Sequence, residues 1–123
     1  MKTIFLVDDS PTLLMSMESV LTKAGFQIKK ANSGEAAVEQ LRGGLKPDLV
    51  ITDLYMGAMN GIELIKAIRK MSPFRFTPIL MLTTESQQDK RADAKAAGAT
   101  GWLVKPVQPN DLLKVIKQVV PGA

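Results

Sequence analysis

Pro47-Asp48-Leu49-Val50-Ile51-Thr52-Asp53-Leu54 is the stretch whose reading decides the fold. Lys46-Pro47-Asp48 is a turn signal, and an unbroken apolar, β-branched run follows it. An unbroken run, as opposed to an alternating one, marks a strand buried on both faces, as in a parallel sheet. The run ends on a carboxylate, Asp53. A buried acid is costly unless it faces a cleft. In open α/β sheets that cleft lies beyond the carboxyl ends of the strands. Asp53 therefore stands where such folds do their chemistry.

The flanking sequence repeats the pattern. Thr3-Ile4-Phe5-Leu6-Val7 reads as a buried strand closed by Asp8-Asp9-Ser10-Pro11. Ser10 can cap a helix that begins at Pro11. Leu14, Met17, Leu21 and Ala24 recur at helical spacing, and Gly25 stops that helix. Phe26 to Lys30 predicts a shorter, polar strand nearer an edge. Ser33-Gly34 opens a helix with Ala37, Val38 and Leu41 inward, and Gly43-Gly44 ends it. Beyond Asp53, Asn60-Gly61-Ile62-Glu63 is a cap with an acid three residues on, and Ile62, Ile65 and Ile68 form the buried stripe behind it. Pro73 and Pro78 bracket a loop. Ile79-Leu80-Met81-Leu82 is a further apolar strand, ending in Thr83-Thr84. Ser86 to Ala97 predicts a charged, Ala-rich helix with a thin apolar face, stopped by Gly98. Gly101-Trp102-Leu103-Val104 is a short strand before Lys105-Pro106. Leu112, Leu113, Ile116, Val119 and Val120 mark a strong last helix, stopped by Pro121-Gly122.

Five strands thus alternate with five helices. Right-handed crossovers turn such a chain into a doubly wound α/β fold, a parallel sheet covered on both faces. At 123 residues the chain is near the commonest domain size, and residues 1–123 read as one domain with no separate output domain.

Composition narrows the chemistry. Hydrophobic residues at 46% and charged residues at 23% are ordinary for a globular domain. The net charge of +4 favours an acidic partner surface only weakly, and no basic run with interleaved aromatics points to nucleic acid. Cys and His are both absent, which excludes disulfides, thiolate metal sites, zinc on imidazole and the usual general base. The N-terminal apolar run is too short for a signal sequence, and no segment is long enough to span a membrane, so the expected location is cytoplasmic.

Four strands that read as buried finish in reactive polar groups: Asp8 and Asp9, Asp53, Thr83 with Thr84, and Lys105. Loops after the strands of such a sheet open on one edge, so these groups can converge. Two unit charges about 4 Å apart repel by on the order of 4 kcal/mol at an effective dielectric of about 20. Three clustered acids therefore share a proton or hold a cation. With oxygen ligands alone, the hard ions Mg²⁺ or Mn²⁺ fit best. Lys105 would then offer a point charge, and Thr83 a hydroxyl, to phosphoryl oxygens. Singly, each residue has a plainer reading. Asp8-Asp9 before Ser-Pro is also turn and cap chemistry, Thr83 a strand end, Lys105 a solvated loop residue, and Asp53 a partner for a helix N-terminus. The joint pattern at successive strand ends is what selects the metal–phosphoryl reading.

Several blocks carry a family likeness over nearly the whole chain. They are Asp8-Asp9-Ser10, Asp53 with Met56 and Asn60-Gly61, Pro78 to Glu85, and Ala97 to Pro106. They resemble the response-regulator receiver domains of bacterial two-component systems, above all the single-domain chemotaxis receivers. The resemblance implies a flavodoxin-like sheet of order 2-1-3-4-5. It implies that Asp53 accepts a phosphoryl group from a His of a sensor histidine kinase, and that Asp8, Asp9, Asp53 and the Tyr55 backbone carbonyl hold Mg²⁺. It further implies that Thr83 and Lys105 grip phosphoryl oxygens and that Lys105-Pro106 is cis. The implied product is a monomeric signalling switch that catalyses only its own phosphorylation and dephosphorylation. Tyr55 and Glu85 fall at positions that set the lifetime of the phosphoryl group.

By the same resemblance the output face is the fourth helix, fifth strand and fifth helix. Here it carries Lys90, Arg91, Lys95, Trp102, Lys114 and Lys117, and its partner in chemotaxis is a flagellar motor switch protein. Charges on surface helices also serve simply to solvate them. Thr83 and Trp102 are the implied switch pair. Trp102 replaces a Tyr or Phe. Its bulk argues against full inward rotation, and its Nε1–H needs a partner if buried. Gly57 replaces a common Pro, which predicts a looser loop after Asp53. Gln108 replaces a hydroxyl cap of the last helix.

Three rival functions remain to be separated. A phosphate sink or relay receiver would share the chemistry without a motor target. A Mg²⁺-dependent phosphohydrolase of the haloacid-dehalogenase type needs Asp-x-Asp, whereas the second residue after Asp8 is Ser10. A flavin binder needs a hydroxyl- and Gly-rich phosphate loop, which Asp8-Asp9 would repel.

Overall fold

The unbroken apolar runs become the inner strands of one parallel sheet. A computed structural model describes residues 1–123. In chain order the elements are β1 (Thr3–Val7), α1 (Pro11–Lys23), β2 (Gln27–Ala31), α2 (Gly34–Arg42), β3 (Leu49–Thr52), α3 (Gly61–Lys70), β4 (Ile79–Thr83), α4 (Gln88–Ala97), β5 (Gly101–Val104) and α5 (Pro109–Val119). The strand order is β2-β1-β3-β4-β5, the doubly wound, flavodoxin-like arrangement. Every pairing is parallel.

Alternation along the buried strands divides the core in two. Ile4, Leu6, Leu49, Ile51, Leu80 and Leu82 face α1 and α5, meeting Leu14, Leu21, Leu112 and Ile116. Phe5, Val7, Val50, Ile79 and Met81 face α2, α3 and α4. Both faces are apolar, which is why β1, β3 and β4 read as continuous runs. The register pairs Val7 with Thr52 and Thr52 with Met81, and Thr83 with Val104. The carboxyl ends of four strands therefore line one rim.

Helix starts follow their caps. Ser10 Oγ accepts the Leu13 N–H at 3.3 Å, and Ser33 Oγ accepts the Ala36 N–H at 3.0 Å. Asn60 and Glu63 form a full capping box, each accepting the other's backbone N–H at 2.9 Å. Such caps contribute about 1 kcal/mol each. Gln108 makes no side-chain bond to the start of α5, where Pro109 takes the first position instead.

Three details differ from the sequence expectation. Helix α4 begins at Gln88 and not at Ser86. The Glu85 carboxylate accepts the Gln87 N–H at 3.2 Å, and Thr83 Oγ1 accepts the Glu85 N–H at 3.3 Å, so side chains hold these amides in a loop. Where Pro73 reads as opening a loop, the chain makes a 3₁₀ turn, Ser72–Phe74, which buries Phe74. Ala24, read as part of the α1 stripe, is the exposed C-cap.

Helix α4 buries only Ala94 and has no side-chain cap at its N-terminus. Its other end is held by Arg69 of α3, which donates to the Gly98 carbonyl at 2.8 and 3.1 Å. The same guanidinium donates to Phe74 and Thr77 carbonyls at 2.8 and 2.7 Å. No carboxylate meets it, and burial lowers its pKa from the usual guanidinium value. A cation here complements the negative end of the α4 dipole.

Candidate functional site

The end of β1 carries Asp8, buried, and Asp9, exposed; the end of β3 carries Asp53, partly buried. One carboxylate oxygen from each lies within 4.8 Å of the others. Local backbone amides aim them. Asp8 Oδ1 accepts the Ser10 N–H at 2.9 Å, and Asp53 Oδ1 accepts the Leu54 N–H at 2.7 Å. The two remaining Oδ2 atoms face Lys105 Nζ, at 3.1 Å from Asp8 and 3.5 Å from Asp53. Lys105 is fixed in turn by its N–H, which donates to the Thr83 carbonyl at 2.8 Å, and the Lys105–Pro106 bond is cis. Thr83 is fully buried at the end of β4.

One ammonium against three carboxylates leaves an acidic excess. Burial pushes the Asp8 carboxyl above its usual 3.8; the Ser10 amide and Lys105 oppose this, and Asp53 adds to it. The donors are all hard oxygens, and the chain holds no imidazole or thiolate to compete. This set fits Mg²⁺ or Mn²⁺. The space beneath the acids, among Leu6, Leu14, Ile51 and Leu82, is only about 10 Å³. Nothing the size of a flavin enters there, so the acids act at an open rim.

A second network adjoins the first. The Tyr55 hydroxyl donates to the Glu85 carboxylate. That bond raises the Tyr55 phenol above its usual 10.0 and lowers Glu85 below its usual 4.5. The Glu85 carbonyl accepts the Trp102 Nε1–H at 3.1 Å. Glu85 thus joins the loops after β3 and β4 to β5, while its N–H reaches Thr83 Oγ1.

Trp102 is only 9% exposed, and its N–H has the partner that burial requires in the Glu85 carbonyl. In this conformation it offers little surface to a partner. Arg91 and Lys95 flank a groove of about 260 Å³ along which Thr100, Gly101 and Trp102 also lie. Lys90 is partly buried, and Lys114 is exposed on α5. Lys117 sits elsewhere, with Met1, Lys2 and Phe26 around a hollow at the amino ends of β1 and β2.

Gly57 adopts φ +91°, which Pro cannot, so the loop after Asp53 takes a defined left-handed turn in place of simply loosening. Gly61 answers a different need. A Cβ there would collide with the Asp53 carbonyl oxygen and meet Met81 Cε at 2.9 Å, while the Gly61 N–H donates to the Leu54 carbonyl at 2.8 Å. In sequence Gly61 signals only a helix start, and its closeness to Asp53 had no local sign.

A parallel doubly wound sheet whose rim gathers clustered acids, a buried threonine and a lysine defines a class, and comparison with known proteins bears that class out. Residues 4–117 match the response regulator receiver domain, and the chain belongs to that family. It is 35% identical over 122 residues to protein PilH of Pseudomonas aeruginosa, covering 99% of this chain and 100% of that one. It is 36% identical to the chemotaxis protein CheY of Thermotoga maritima, covering 96% and 97% of the two chains. The solved structure of chemotaxis protein CheY4 from Vibrio cholerae superposes with a TM-score of 0.93 at 41% identity, over 98% of this chain and 99% of that one. Receivers of this family are signalling proteins that work with a histidine kinase and a downstream target, and they bind Mg²⁺ through acidic residues.

Proposed function

We propose that this protein is a response regulator whose phosphoacceptor is Asp53. The observation that carries the reading is Lys105 Nζ lying between Asp8 Oδ2 and Asp53 Oδ2, at 3.1 and 3.5 Å. An ammonium beside the nucleophilic carboxylate is placed to meet incoming phosphoryl oxygens. Asp8, Asp9 and Asp53, with the Tyr55 carbonyl, would hold the metal. A bound Mg²⁺ supplies charge neutralisation at the acids and the phosphoryl oxygens.

The chain's own groups do the rest. A carboxylate oxygen of Asp53 attacks phosphorus in line with the bond to the kinase histidine. That P–N bond breaks, the imidazole keeps the electron pair and takes a proton, and an acyl phosphate remains. Lys105 moves from carboxylate to phosphoryl oxygen, and the Thr83 hydroxyl donates to another. Tyr55 and Glu85, bonded to each other at the rim, restrict the approach of water and so set the lifetime of the phosphoryl group. The fold provides position and charge, which is most of what phosphoryl transfer requires.

The output face is the groove beside Arg91, Lys95 and Trp102, with Lys90 and Lys114 nearby, and its basic rim suits an acidic partner segment. The likeness to chemotaxis receivers makes a flagellar motor switch protein the partner of choice and a chemotaxis-type sensor kinase the donor. Such a protein would act in the cytoplasm as a monomer.

Intact mass after incubation with acetyl phosphate and Mg²⁺ tests the reading. Wild type gains one phosphoryl group, and Asp53→Asn does not; uptake by Asp53→Asn would overturn the assignment. Binding of a motor-switch peptide, with and without beryllofluoride, then separates a switch from a phosphate sink.

A further inference from the structure

We infer that Thr52, the residue before Asp53, is a positioning residue for phosphoryl transfer and acts through the peptide unit that follows Asp53. This rests on the reading of Asp53 as the phosphoacceptor. Thr52 is fully buried at the end of β3, between Val7 of β1 and Met81 of β4. Its hydroxyl donates to the Asp53 carbonyl at 2.9 Å. That carbonyl and the Leu54 N–H belong to one planar peptide unit. The N–H of the unit donates to Asp53 Oδ1 at 2.7 Å. One rigid plane is therefore gripped at its oxygen by Thr52 and grips the carboxylate with its nitrogen. If the plane turns, Oδ1 swings with it, and the distance from Oδ2 to Lys105 changes too.

The surroundings leave this plane few other holds. The Asp53 N–H, on the preceding peptide, is taken by the Val7 carbonyl at 3.1 Å. Gly61 of α3 packs beside the held carbonyl, where a side chain would not fit. Contact from Gly61 crowds that oxygen but supplies no donor to it. The Thr52 hydroxyl also lies 3.6 Å from Met56 Sδ. It has one proton, and a carbonyl is a far better acceptor than a thioether. Filling the strand needs only the shape of Thr52, which Val reproduces. The hydroxyl is what Val lacks, and Ser keeps it.

That contrast makes the test. Initial rates of Asp53 phosphorylation by acetyl phosphate and Mg²⁺, read by intact mass, are measured for wild type, Thr52→Val and Thr52→Ser. Thermal melting gives the Mg²⁺ affinity of each. A misaimed carboxylate slows Thr52→Val about tenfold, weakens its Mg²⁺ affinity because Asp53 is also a metal ligand, and leaves Thr52→Ser within about twofold of wild type in both. Without any reagent, the Leu54 amide proton moves upfield in Thr52→Val and stays in place in Thr52→Ser. A purely structural role predicts the reverse order, because Ser loses a buried methyl and Val does not. A Thr52→Val rate equal to wild type, or Thr52→Ser as slow as Thr52→Val, overturns the inference. Thr52→Ala replaces Thr52→Val if the latter does not fold. Failure of wild type to take up phosphate overturns the phosphoacceptor reading itself, and the role of Thr52 with it.

Discussion

Lys105 Nζ lies nearer to Asp8 than to Asp53, 3.1 Å against 3.5 Å, although 97 residues separate it from Asp8. The lysine of the site thus spends its charge mainly on a buried acid that is not the acceptor. Even so, burial outweighs Lys105 and the Ser10 amide, and the Asp8 carboxyl stays above its usual 3.8.

The sign of that shift gives the first prediction. An acid with a raised folded pKa binds its proton more tightly when folded. Its cost to stability is absent below the unfolded pKa and grows as pH rises through the folded one. With a chelator at pH 7, Asp8→Asn is therefore more stable than wild type, and the gain vanishes in acid. Added Mg²⁺ stabilises wild type but not Asp8→Asn. Urea titrations at pH 7 and pH 4, with and without Mg²⁺, measure both; a less stable Asp8→Asn in chelator would contradict the shift.

The bond from Tyr55 to Glu85 gives the second. It holds Glu85 below 4.5, so its contribution is present above the unfolded pKa and lost as pH falls through the folded value. Tyr55→Phe removes the hydrogen bond that does most to lower Glu85, and the Glu85 carboxyl moves back up towards 4.5, as a carbon-detected NMR titration would show. Tyr55 is exposed and Glu85 only partly buried, so global stability changes little. The phosphoryl lifetime shortens, because water reaches Asp53 more freely.

Trp102 is the only tryptophan, which makes its burial directly observable. Emission of the unphosphorylated protein is blue-shifted and poorly quenched by iodide. Asp, placed at Glu85, keeps the backbone carbonyl that Trp102 uses and leaves this emission unchanged. Red-shifted, readily quenched emission in wild type would place the indole outside.

Gly61→Ala forces a methyl against the Asp53 carbonyl. The variant loses about 2 kcal/mol of stability, within the range for overpacked sites. It also slows phosphorylation, since the obstructed atom belongs to the acceptor residue. A melt combined with the acetyl phosphate assay detects both losses.

Much of the fold was legible because its causes are local. The runs at Ile4–Val7, Leu49–Ile51 and Ile79–Leu82 are apolar on both faces, and only an inner parallel strand needs that. Ser10, Ser33 and Asn60 announced their helices, because a cap acts within three residues. The start of α4 was misplaced for the same reason. Side chains of Thr83 and Glu85 compete for the amides there, and which of two local bonds wins depends on the loop packed around them.

By itself the sequence determined which acids, hydroxyls and cations end strands, and hence that a hard-metal, phosphoryl-binding rim could form; residue type and period are properties of the chain alone. Only the tertiary structure decided that Lys105 leans on Asp8, that Trp102 lies inward on Glu85, that Lys117 falls at the far end, and that Thr52 and Gly61 clasp the Asp53 carbonyl. Those are relations between strands and helices distant in sequence, and their distances are set by packing of the sheet and its layers, which no local pattern encodes.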